Sequence, residues 1–77
     1  MSRIAEELAD KLARDVIEAA EALEDDRLVE QIAQAVGASS PTTEELFRTA
    51  VRVRVAEARA RKMLAARIAK GPATPKT

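Results

Sequence analysis

The sequence predicts an all-α fold, an antiparallel helical hairpin that assembles with copies of itself. Three observations carry this. Helix-favouring Ala, Glu, Arg, Leu and Lys dominate the chain, and seventeen of its 77 residues are alanine. The two glycines and three prolines are confined to 37–41 and to the last seven residues. Phe47 is the only aromatic residue, and alanine buries little area. One domain of this length with so thin a core has little margin of stability. Contact between copies supplies the burial that a single copy lacks.

The first arm spans about 3–36. At roughly 100° per residue, Ile4, Leu8, Leu12, Val16 and Leu23 fall on one drifting stripe. Leu28, Ile32 and Val36 form a second stripe, rotated from the first by roughly 150°. The change falls at Glu24-Asp25-Asp26-Arg27. Two readings follow. Asp25 or Asp26 caps a new helix, which divides the arm into 3–24 and 27–36. Alternatively, one long helix shows one face to its own chain and another to a neighbour. A run of acids suits a helix start better than a helix end, which favours the break.

Gly37 follows Val36 as a left-handed cap residue would, so a turn is expected over 37–41. The second arm, about 42–70, has two candidate starts. Thr42 and Glu45 have capping-box spacing, with Pro41 and Leu46 placed for a hydrophobic staple. Ser40 as cap with Pro41 at the first helical position serves equally well. Glu44 and Glu45 suit the helix N-terminus, and Arg67 and Lys70 suit its C-terminus. Phe47, Val51, Val55, Ala58, Ala65 and Ala69 make an apolar face, which Leu46, Ala50, Val53, Leu64 and Ile68 widen. A stripe this broad points to more than one neighbour. Residues 51–55 alternate as a strand would, but their flanks read as helix. Gly71-Pro72 stops the arm, and the tail, 71–77, is expected to be disordered. Core and inter-subunit packing is assigned to Leu8, Leu12, Leu23, Leu28, Ile32, Phe47, Val51, Val55 and Leu64.

Charge is divided unevenly along the chain. Residues 1–41 carry ten acidic and four basic side chains, whereas 42–77 carry three acidic and nine basic. A neutral total therefore hides two opposed fields. Arg48, Arg52, Arg59 and Lys70 share one helical face. They suit phosphates of double-stranded DNA, or a face paired with the acidic arm. No aromatic platform accompanies them for single strands, and no helix-turn-helix pattern precedes them.

Chemistry is poorly represented. The chain has no cysteine and no histidine, so no disulfide or thiolate metal site forms. Ser39, Ser40, Thr42 and Thr43 lack a base to activate them and read as turn and cap residues. The acids of the first arm sit at ordinary surface positions without a calcium-loop pattern. We expect no enzyme activity, cofactor or metal. No apolar run approaches the roughly 20 residues that cross a bilayer, and the start of the sequence lacks a signal-peptide pattern. A cytoplasmic protein without a membrane partner is expected.

Two stretches suggest a family. Ser40-Pro41-Thr42-Thr43-Glu44-Glu45-Leu46-Phe47 and Val51-Arg52-Val53-Arg54-Val55-Ala56-Glu57-Ala58-Arg59-Ala60-Arg61 resemble the central oligomerisation segment of small terminase subunits. These are the DNA-packaging adaptors of tailed phages and phage-like gene transfer agents. The likeness covers about half the chain and includes no diagnostic motif. It implies rings of helical hairpins, recognition of packaging DNA and docking of a large terminase ATPase. The tail, with Pro72, Pro75 and Lys76, would be the docking segment. The N-terminal helix-turn-helix domain common in such proteins has no counterpart, so DNA contact would fall to the basic helix. The other class consistent with these residues is a regulatory or scaffolding hairpin that binds only protein, such as an antitoxin-like or anti-activator dimer.

Overall fold

A computed structural model describes residues 3–72. Three helices follow one another: α1 (Arg3–Leu23), α2 (Leu28–Ser39) and α3 (Pro41–Lys70). Among the described residues there is no strand. Residues 51–55 lie inside α3, so their flanks decide their conformation. No helix among the described residues is long and apolar enough to cross a membrane.

The first arm breaks where its apolar stripe rotates. The Asp25 N–H donates to the Ala20 carbonyl at 2.9 Å, and the Glu24 N–H to Glu21 at 3.2 Å. This paired closure needs a left-handed residue between helix and exit. Glu24 takes that conformation, at φ 52°. The Asp25 carboxylate then accepts the Arg27 N–H at 3.0 Å and turns the chain into α2. A side chain in the left-handed region costs roughly 1 kcal/mol relative to glycine. Glu24→Gly should therefore raise stability by about 1 kcal/mol in urea unfolding.

The junction of α2 and α3 corrects the expected turn. Gly37 is not a cap, because α2 continues through it to Ser39. A Cβ at Gly37 would overlap the Glu44 carboxylate, so glycine leaves room for the end of that side chain as it lies. The break is confined to Ser40, whose backbone is extended at φ −154° and ψ 100°. Its hydroxyl accepts the Thr43 N–H at 3.1 Å, a cap worth about 1 kcal/mol. Pro41 occupies the start of α3, where a missing N–H costs nothing. Of the two candidate starts, Ser40-Pro41 is the one used. At the far end Gly71, at φ 82°, stops the helix, and its N–H bonds to Ile68.

The break also changes how the arms meet. The chain forms three helices rather than two continuous arms. Glu30 meets Arg48, and Gly37 meets Glu44, so numbering falls along α2 as it rises along the facing part of α3. On α1 it rises with α3. Glu6 and Asp10 lie beside 46–53, and Arg14 to Glu21 lie beside 54–62. Acidic α1 therefore runs in the same direction as basic α3, contrary to the antiparallel arrangement expected.

Phe47 is fully buried, surrounded by Ala9, Ala13, Val16 and Ala33. Leu12, Leu28, Val29, Ile32, Leu46, Ala50 and Val51 are half-buried against this cluster. Of the residues assigned to packing, Phe47, Leu12, Leu28, Ile32 and Val51 take part, and Val55 is half-buried. Leu8, Leu23 and Leu64 are exposed within one copy. From Ala56 to Lys70 every residue of α3 is exposed. At about 1.5 Å per residue this arm is some 22 Å long, and its first part, to Lys62, lies across an open cleft from α1.

Candidate nucleic-acid and partner interface

The basic residues of α3 divide into an inward set and an outward set. Arg48 and Arg54 form the inward one. The Arg48 guanidinium donates to both oxygens of Glu30, at 2.8 and 3.0 Å, and its Nε donates to Glu44 at 2.9 Å. Arg54 donates to both oxygens of Asp10 at 2.7 and 2.8 Å. Two-pronged pairs of this kind fix orientation as well as adding energy. Together they tie α3 to α2 and to α1.

These contacts move the ionisations. Hydrogen bonds from Arg54 hold the Asp10 carboxyl below its ordinary value, and those from Arg48 do the same for Glu30. Arg48 is raised by Glu30 and then Glu44, and Arg54 by Asp10. A carboxyl lowered by folding adds stability that is complete above its unfolded value and disappears as pH falls through the lowered one. Stability in urea should thus hold steady from pH 7 to 5 and decline below about pH 4. The decline should be shallower in the Arg48→Ala/Arg54→Ala variant.

Arg52, Arg59 and Lys70 form the outward set. Arg52 approaches Glu45 at 3.7 Å and Thr49 at 3.5 Å, in an exposed setting. Arg59, Lys62 and Lys70 are exposed, and no carboxylate lies within 4.0 Å of them among the described residues. Arg59 and Lys62 edge an open cleft between α1 and α3, whose other wall carries Glu18 and Glu21. Arg61 pairs with Glu57 on its own helix, and Arg67 donates to the Gly71 carbonyl at 3.3 Å.

Of the face read from the sequence, Arg48 is thus occupied by carboxylates, while Arg52, Arg59 and Lys70 remain presented to solvent. Pro72 is exposed, and Pro75 and Lys76 lie outside the described residues. Among the described residues no His, Cys, Asp and Glu side chains gather as a metal site requires.

Of the exposed apolar surface on the same arm, Val53, Leu64 and Ile68 were read from the sequence and Met63 was missed. Val53, Met63, Leu64 and Ile68 are all more than half exposed. Their signal was the breadth of the α3 stripe, which exceeds what α1 and α2 cover. Searches against protein-family models, curated proteins and solved structures find no match for this chain.

Proposed function

We propose that the chain is a non-enzymatic, self-associating adaptor that binds double-stranded DNA through α3 and presents it to a motor ATPase, as a small terminase subunit does. The observation that carries this reading is the outward face of the α3 arm. Arg52, Arg59 and Lys70 lie along it, and the last two are free of carboxylates within 4.0 Å among the described residues. Phosphate contact needs cations in this state, because a guanidinium already held by a carboxylate releases fewer counterions. Arg48 is therefore given a structural role. The tail, with Pro72, Pro75 and Lys76, is assigned to ATPase docking. The cell interior is the compartment this reading requires.

The test is fluorescence anisotropy with a labelled duplex at about 50 mM salt. Wild type should bind, and Arg52→Glu/Arg59→Glu should lose binding by tenfold or more with an unchanged helical circular-dichroism spectrum. Arg48→Ala should lower stability instead. If wild type fails to bind DNA at that salt, direct contact is wrong. The exposed Met63, Leu64 and Ile68 favour a second reading, a regulatory or scaffolding hairpin with protein partners only. Absence of DNA binding with retained self-association would select it.

A further inference from the structure

Two exposed apolar surfaces on this chain differ in their charged surroundings. One is on the α3 arm. At about 100° per residue, Val53, Ala56, Ala60, Leu64 and Ile68 lie within a strip roughly 120° wide that also holds Glu57 and Arg67, with Met63 at its border. Residues 56–70 carry five basic side chains and one acidic, a balance of +4. The other surface is an edge of α1, where Ile4, Leu8 and Leu23 are exposed. Toward its end, residues 15–26 carry six acids and no base.

We propose that the α3 arm of one copy docks on the Ile4–Leu8–Leu23 edge of α1 in a second copy, joining two different surfaces head to tail. This rests on the reading that the chain self-associates and adds which surfaces meet. Charge decides the pairing. Arm against arm would bring +4 against +4, whereas arm against edge brings it to the acids of 15–26. Close like charges cost several kcal/mol at an interface. Length agrees as well. At about 1.5 Å per residue, Val53 to Ile68 spans about 22 Å and Ile4 to Leu23 about 28 Å.

A head-to-tail contact uses two patches per copy, each about 800 Å² in an interface of standard size. Such contacts propagate until a ring closes or a filament grows. Arg52, Arg59 and Lys70 lie roughly 100–120° from the centre of the docking strip and about 40–60° beyond its near edge, so the cationic face borders the assembly contact.

Sedimentation velocity with two variants tests this. Leu64→Glu/Ile68→Glu disables the arm, and Ile4→Lys/Leu8→Lys disables the edge. All four residues are exposed, and circular dichroism checks each fold. Wild type should associate at micromolar concentration and each variant alone should be monomeric. An equimolar mixture should form a 1:1 dimer, because one intact arm meets one intact edge. Arg61→Glu/Arg67→Glu should complement the edge variant's partner role in the same way without altering apolar residues: monomeric alone, dimeric with the edge variant. Self-association of either variant at wild-type strength, a mixture that stays monomeric, or a monomeric wild type would overturn the proposal. DNA is absent throughout, so failure of DNA binding and failure of this interface are read separately.

Discussion

Phe47→Ala should leave the chain largely unfolded at room temperature. Among the described residues Phe47 is the largest fully buried side chain, and the four other buried residues, Ala9, Ala13, Val16 and Ala33, are all small. None of them can extend into the space a removed ring leaves. Truncating a buried phenylalanine costs about 3–5 kcal/mol, and a core in a domain this small supplies only about that much. Loss of the far-UV helical signal, or of a cooperative urea transition, checks the outcome. Leu64→Ala, on the exposed arm, should change monomer stability by less than about 0.5 kcal/mol.

The second large effect comes from adding atoms. Ala13 and Ala33 have no exposed surface, on α1 and α2 respectively. Both belong to one buried cluster with Phe47. Leucine at either site forces helices apart or side chains off their rotamers, at about 1–3 kcal/mol. Ala13→Leu and Ala33→Leu should each lower the urea midpoint, and together they should prevent cooperative folding. Ala56→Leu, on the exposed arm, should leave monomer stability within about 0.5 kcal/mol of wild type.

These alanines also show what the sequence conceals. Helices and their stops were readable because caps and breakers act locally: Ser40-Pro41, Gly71-Pro72 and the acids at 24–26 each mark a boundary. Phe47 was readable because nothing else of its size competes for the centre. Ala9, Ala13 and Ala33 were not, since an alanine looks alike whether it lets helices approach or merely faces water. Gly37 misled for a related reason. Glycine after an apolar run usually ends a helix, but here it makes room for Glu44.

The direction of α1 was hidden as well. Reversing it requires the break at Glu24, and only the tertiary pairs Asp10–Arg54 and Glu30–Arg48 reveal the register. Of the candidate site, the shared face of Arg48, Arg52, Arg59 and Lys70 followed from helical spacing, but which of them are exposed did not. That Arg48 differs from them depends on Glu30, eighteen residues away, a partner no local pattern identifies.

The central claim is that α3 beyond Val55 is an interaction arm, separate from the core that folds the chain. Amide hydrogen exchange read by mass spectrometry tests it directly, with the protein dilute, concentrated, and mixed with duplex DNA. The account predicts that 56–70 exchange quickly when dilute and become protected on concentration or DNA addition, while 29–51 change little. Protection of 56–70 that is equal in all three conditions would contradict it.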